Sequence, residues 1–468
     1  MQRFRQARLW EATVLVALVL LTACVGYGQA AGYATLYTFK GGTDGASPNG
    51  VVLAKNGDLY GTTYTGGVNE CGINIYFWCG SVFQLTPAEG GTWTKTTIFS
   101  FNGTDGALPS QDWEGVPGPR PIFGANGALY GTTENGGQYD GAAGALGGTV
   151  WELMPPSATG ESWTQTVLYS FQNNPQAPHA PYGGLLLTST GSVFGTTFTN
   201  AFPDGGFEQG GTAFELIPPA ESGGSWTLNN LIDFQTADIG QNPAAGVLGL
   251  GGSLYGTLSD VFGCGSVYEL SPPTSPGSAW SGKAIYTFGG PPDACDPLAP
   301  LTVGPGGVLY GTTFEGGSGL PCAVEPYFVS GCGTVFQLTP PTAPGGAWTE
   351  SILYSFTGSG GDGAYSAAGV VLGKNGVIYG TTLNGGSATS GSPCSEAGVS
   401  GCGTVFQLTP PAVAGGPWTE TILHSFTGQN GDGSIPGPLT LSPKGVLFGP
   451  AQRGGGTAGA GTIFAVVP

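Results

Sequence analysis

Gly331–Pro341 reads GCGTVFQLTPP, and the same eleven residues return unchanged at Gly401–Pro411. Each copy follows a YGTT core, LYGTT at Leu309–Thr313 and IYGTT at Ile378–Thr382. Each precedes a Trp-led stretch, WTESILYSF (Trp348–Phe356) and WTETILHSF (Trp418–Phe426). An echo of this length marks an internal repeat, which has to be read before any single element.

Working outward, the YGTT-type segment occurs seven times, at Leu59–Thr63, Leu129–Thr133, Val193–Thr197, Leu254–Leu258, Leu309–Thr313, Ile378–Thr382 and, degraded, Leu447–Ala451. A VFQL-type segment follows each, at Ser81–Leu85, Thr149–Leu153, Thr212–Leu216, Ser266–Leu270, Thr334–Leu338, Thr404–Leu408 and Thr462–Val466. A third set ends in Phe: Leu36–Phe39, Ile98–Phe101, Leu168–Phe171, Leu231–Phe234, Ile285–Phe288, Leu353–Phe356 and Leu423–Phe426. Upstream of YGTT lies a short apolar run closed by a Gly-containing turn, as in GVVLAKNGDLYGTT (Gly50–Thr63). Asn-Gly between two such runs is the strongest short hairpin signal.

Four strands in each repeat of roughly 55–70 residues describe a propeller blade. The chain reads as all-β: a seven-bladed β-propeller of four-stranded antiparallel blades, one domain over residues 34–468. Ala34–Phe39 is a Trp-led-type strand with no blade before it, and the last copy stops without one. The N-terminal strand is therefore expected to pair into the C-terminal blade, closing the ring and removing exposed edges. An open β-solenoid would need no such complementarity. Within WTESILYSF, Trp348, Ile352, Tyr354 and Phe356 share one face at period two, which reads as packing between blades. The glycine of YGTT reads as a bulge or a close backbone approach.

Gly 89 and Pro 37 among 468 residues would signal low complexity without that period. Here 11% aromatic residues and a positive mean hydropathy supply a core to bury. Only 9% of residues are charged and the net charge is -18. Such a surface repels phosphate backbones and anionic lipid, which excludes nucleic acid and leaves protein or glycan as the expected partner of a monomeric chain.

Arg3, Arg5 and Arg8 precede an apolar run from Ala12 to Leu21, too short to span a bilayer and proportioned for a signal peptide. It ends in Leu21-Thr22-Ala23-Cys24, which resembles a bacterial lipobox, so residues 1–24 are expected to direct export and Cys24 to take a lipid. Residues 25–33 would be a short tether. Cleavage after Gly28-Gln29-Ala30 would instead release the protein. The membrane enters only through this anchor, and the chain is expected in the bacterial envelope or secreted.

Eight cysteines lie beyond that segment. Cys71 and Cys79, Cys322 and Cys332, and Cys394 and Cys402 bracket the link between YGTT and VFQL strands in copies one, five and six. Cys264 holds the same position in copy four, and Cys295 lies in the connection from copy four to copy five. In a propeller with the apolar strand innermost, both links open on one face, so these two are expected to pair as well. Four bridges imply an oxidising compartment. CxxC spacing and Cys/His clusters are absent from the sequence, which argues against zinc.

LYGTT followed by Gly-Gly, GTVFQLTP, and WTETIL-type strands followed by DGA turns together resemble the GloVer tandem-repeat family of exported bacterial proteins, from about Leu36 to the C-terminus. The resemblance implies an extracytoplasmic repeat protein and supplies no catalytic residues.

Chemistry would have to come from elsewhere. The links between blades repeat an acidic turn carrying Asp44, Asp105, Asp362 and Asp432, expected to ring one face near the channel mouth. Asp-Gly is first a turn dipeptide; read more sharply, these carboxylates are a ligand or cation face, although their spacing fits no calcium loop. A structural cation is the one cofactor considered, and the metal is unassigned. Acids that break the repeat, Asp112, Glu114, Glu315 and Glu325, would suit a carbohydrate-active hydrolase or lyase better. His179 and His424 suggest no triad. The reading is an exported binding module without catalytic residues; the alternatives are that hydrolase or lyase, or a structural cell-surface protein.

Overall fold

A computed structural model describes residues 32–468, apart from residues 74–75, 110–117, 139–146, 159, 173–177, 200–209, 222, 238, 245–247, 260–262, 276–277, 320–321, 323–330, 344, 388–393, 395–400, 414 and 430. Cys24, the expected export segment and nearly all of the expected tether lie outside the described residues.

Seven antiparallel sheets follow one another, each built of inner, second, third and outer strand, in chain order in the first six. Blade one is complete: Ala46–Leu53, Leu59–Thr65, Ser81–Pro87 and Trp93–Ser100. Inner strands shrink to two residues in blades five and six, Thr302–Val303 and Val371–Leu372. The expected seam is present in blade seven, where Gly32–Thr38 pairs with Thr462–Val467 as the outer strand. The protein is a closed seven-bladed propeller with no free edge at its seam.

Each YGTT glycine lies under the aromatic ring that faces it across the second and third strands. A Cβ on Gly61 would meet Phe83 Cζ at 2.7 Å, and one on Gly380 would meet Phe406 Cζ at 2.4 Å. The pairing Gly61↔Phe83 is in unbroken register, so the glycine serves a ring, not the bulge or backbone approach expected of it. The bulge sits one strand further out. Register shifts between Val335 and Phe336 opposite the outer strand, leaving Leu353 unpaired, and the same shift recurs in every blade. This breaks the expected period two: Leu353, Leu168, Leu231 and Leu423 turn inward and are buried, beside the buried terminal Phe356, Phe171, Phe234 and Phe426.

A hydroxyl pair ties second to third strand at the loop-bearing end. Thr63 bonds Ser81 at 2.7 Å, Thr133 Thr149 at 2.8 Å, Thr197 Thr212 at 2.9 Å, Thr313 Thr334 at 2.8 Å and Thr382 Thr404 at 2.8 Å. In degraded blade seven the first partner is Ala451, and the Thr462 hydroxyl is buried without a hydrogen bond. Restoring the donor should repair this. Ala451→Thr is expected to stabilise the fold by about 1 kcal/mol, read as a higher urea midpoint at unchanged m-value; a lower midpoint would mean that the strands cannot admit the extra methyl.

Candidate functional site

The links between second and third strands and those between blades emerge at one end of the ring, and there the four expected disulfides are found: Cys71–Cys79, Cys264–Cys295, Cys322–Cys332 and Cys394–Cys402. The first, third and fourth close short links within a blade. Cys264–Cys295 spans 31 residues and joins two blades. It reinforces a cross-tie found at every junction. The entering link of each blade donates a backbone N–H to the carbonyl just before the third strand of the preceding blade: Ser47 to Ala460, Leu108 to Cys79, Ala180 to Gly147, Asn242 to Gly210, Asp296 to Cys264, Tyr365 to Cys332 and Ile435 to Cys402, at 2.8–3.1 Å. All seven donors are non-glycine residues held at φ between +52° and +60°. That conformation costs on the order of 1 kcal/mol each, so the junction geometry is imposed by the ring.

The repeated aspartates lie beside these ties, between the outer strands of neighbouring blades, and not around the channel mouth. The link leaves the outermost strand and meets its aspartate before it has turned inward, which is why the expected ring does not form. Asp44 accepts from the Tyr37 hydroxyl at 2.8 Å and pairs with Lys95 of the next blade at 3.2 Å. Asp105 caps its own turn at Asn102 N, 2.8 Å, while Gln165 of the next blade reaches the Asp105 carbonyl at 3.1 Å; burial raises the Asp105 pKa against those backbone bonds. Asp432 accepts from Tyr33 at 2.8 Å and sits 3.2 Å from His424 Nε2, with the Tyr33 and His424 rings stacked at 3.6 Å. Burial works to raise Asp432, but His424 and the Tyr33 hydroxyl outweigh it and hold the carboxyl below its ordinary value.

Two junctions bring carboxyl groups together. Tyr354 donates toward Asp362 at 3.3 Å and Glu420 at 3.0 Å. Burial, then the Asp362 charge, pushes Glu420 up to about 8. One blade earlier Tyr286 donates toward Asp293 at 3.2 Å, and burial followed by the Asp293 charge pushes Glu350 up to about 7. Lys95, Gln165, Glu350, Glu420 and Tyr33 all occupy one position, the third residue of the Trp-led strand or its equivalent. Reading the sequence missed this partner series, and missed Asp293, because TFGGPPDAC lacks the Asp-Gly pair that flags the other turns.

At the first junction one tyrosine bonds both carboxyls; at the second Tyr286 bonds Asp293 alone, and the Asp293 charge acts on Glu350. Each serves to join blades. Among the described residues no group of three or more His, Cys, Asp or Glu side chains is placed to hold a metal ion. Glu315 is buried opposite Cys295, and His179 is buried in an inner strand. Asp112, Glu114 and Glu325 lie outside the described residues.

A model of the Gloeobacter/Verrucomicrobia repeat matches residues 116–394. No curated protein matches the chain. Among solved structures, an oxidoreductase (glucose dehydrogenase) from Thermus thermophilus is 14% identical over 93% of this chain and 99% of its own, at a TM-score of 0.40. PQQ-bound aldose sugar dehydrogenase from Streptomyces coelicolor is 12% identical over 94% and 99%, at 0.42, and a gluconolactonase from Xanthomonas campestris is 11% identical over 75% and 85%, at 0.38. At these scores the likenesses carry no argument about function.

Proposed function

The chain belongs to the Gloeobacter/Verrucomicrobia repeat family, and from that premise we propose that it is an exported, envelope-attached or secreted binding module that engages protein or glycan through its loop-bearing end. The observation that supports this reading is the placement of all four disulfides at that end. Disulfides belong to an oxidising compartment. Three of them shorten links that differ in sequence from copy to copy, and a link held in place loses less conformational freedom when it meets a partner. A shared scaffold with individually braced links has the economy of a recognition surface. With a net charge of -18, the surface favours neutral or basic partners.

A panel of immobilised neutral and basic glycans, probed with the oxidised chain, tests the proposal. Binding without turnover is expected, and mild reduction should weaken it at least tenfold while the far-ultraviolet spectrum keeps its β signature. Turnover of a glycan that disappears on replacing an acid at the loop end would overturn it in favour of a hydrolase.

A further inference from the structure

Counting back from each YGTT glycine to the residue that enters the inner strand gives Gly50, Arg120, Gly184, Pro300, Gly369 and Pro438; the fourth copy's counterpart lies outside the described residues. These positions crowd the axis of the ring. A Cβ on Gly50 would lie 2.9 Å from Arg120 Cβ and 3.0 Å from Pro438 Cγ, one on Gly184 would lie 3.6 Å from Pro119 Cβ, and one on Gly369 would lie 2.7 Å from the Pro300 carbonyl. Every described member is Gly or Pro except Arg120.

Arg120 reaches over Gly50, past the whole of blade one, to blade seven. One guanidinium nitrogen donates to the Leu439 carbonyl at 3.3 Å and to Thr440 Oγ1 at 3.1 Å. Thr440 in turn donates to the Val51 carbonyl. The guanidinium carries five N–H donors, so this latch leaves most of them over. The residue as a whole is exposed to solvent. In a chain with 29 acidic residues, no described carboxylate forms an ion pair with Arg120.

The crevice beside Arg120 is also lined by Tyr130, Thr132, Trp151 and Leu185. Trp151 is 1% exposed, and its indole Nε1 makes no hydrogen bond. Leaving a buried N–H unsatisfied costs about 1–3 kcal/mol. Five sibling blades avoid that cost with Phe at this position: Phe83, Phe214, Phe336, Phe406 and Phe464. The only blade with an arginine at the axis is also the only one with an indole at that position. Arg120, without an ion pair to any described carboxylate, and Trp151, with its buried N–H, border a space for one water-sized body. A guest held by both the guanidinium and the indole N–H has to accept from each, which a monatomic anion does without bringing a hydrogen of its own.

We propose that the crevice at Arg120 and Trp151 is a halide site, taking a chloride ion between blades one, two and three. Its occupancy bonds the latch residue of blade two to the third strand of the same blade.

Bromide, a chloride surrogate with an anomalous signal, tests this directly. Crystals of the oxidised chain grown in sodium bromide are expected to show an anomalous peak between the Arg120 guanidinium and Trp151 Nε1. In solution, chloride should raise the Tm by about 1–2 °C over methanesulfonate at equal ionic strength. Trp151→Phe carries the residue of five sibling blades and is expected to fold; its chloride-specific shift should fall to less than half. Arg120→Met should abolish both signals. Absence of the peak in the unmodified protein, or an undiminished chloride shift in Trp151→Phe, would overturn the proposal even if Arg120→Met fails to fold.

Discussion

Removal of Gly32–Phe39 is expected to abolish cooperative folding of the ring. These residues are the outer strand of blade seven, paired from Gly32↔Val467 to Thr38↔Thr462. Phe39 is 1% exposed and packs edge-on against Phe83 of blade one at 5.2 Å. Tyr33 stacks on His424 of blade six. The strand thus touches the blades on both sides of its own. Burial of Tyr33, Leu36, Tyr37 and Phe39 is worth on the order of 5–10 kcal/mol, comparable with the whole stability of a typical domain. Its loss would also bare the edge of Thr462–Val467, an invitation to pair with a second chain. Size-exclusion chromatography and thermal denaturation should show association and a broad or absent transition. A synthetic peptide of Gly32–Phe39 added in trans should restore a sharp one. A monomer melting within a few degrees of the intact protein would show that the seam is dispensable.

Stability should fall as pH rises from about 5 to 8, opposite to the behaviour of a protein held by salt-bridged carboxylates. Glu350 and Glu420 are raised to about 7 and about 8 in the folded chain, against 4.5 ordinarily. Between those values the folded state holds protons that the unfolded chain has released, so the unfolding free energy declines with pH across that window. The contribution is fully present below pH 4.5 and is lost as pH passes through 7 and then 8. A tenfold change in proton affinity corresponds to about 1.4 kcal/mol; with screening at these partly exposed positions, a total loss on the order of 3 kcal/mol is expected. Asp432, held low by His424, acts in the opposite sense, but only below the ordinary Asp range. Replacing Glu350 and Glu420 by Gln keeps a hydrogen-bonding group without the charge. That double variant should lose most of the slope and melt above the unmodified protein at pH 8. Calorimetry at pH 5, 6.5 and 8 decides: an unmodified protein that gains stability with pH, or a double variant with the same slope, would remove the carboxyl pairs from this role.

Strands, blade count, seam and disulfides were legible because each is written in residues that recur at a fixed interval. Even Cys264 and Cys295, unlike each other in position, were placed by topology alone. What stayed hidden was radial. Asp44 and its kin have the right spacing to ring the channel, and only the path of the link shows that the turn is made beside the outer strand. The left-handed residue that makes each cross-tie is Ser, Leu, Ala, Asn, Asp, Tyr or Ile, a set without any signature, because the tie uses backbone atoms alone. Glu420, the partner of Asp362, reads in the sequence as one polar residue among others on a strand. Arg120 is hidden for the opposite reason: it lies in Pro-Arg-Pro, where nothing in the chain announces that its described siblings are glycines and prolines on an axis.

The seam has a consequence for how such a chain can change length over generations. The heritable unit, read from any starting point, carries all four strand types, while the unit that folds in blade seven borrows one strand from the far end of the gene. A tandem duplication inside the chain therefore adds one whole blade and leaves both halves of the clasp intact. Only the angle between neighbours has to adjust. Truncation from either end, by contrast, destroys the clasp at once. Lineages of these genes should vary in copy number by whole internal units while preserving their two ends as a matched pair.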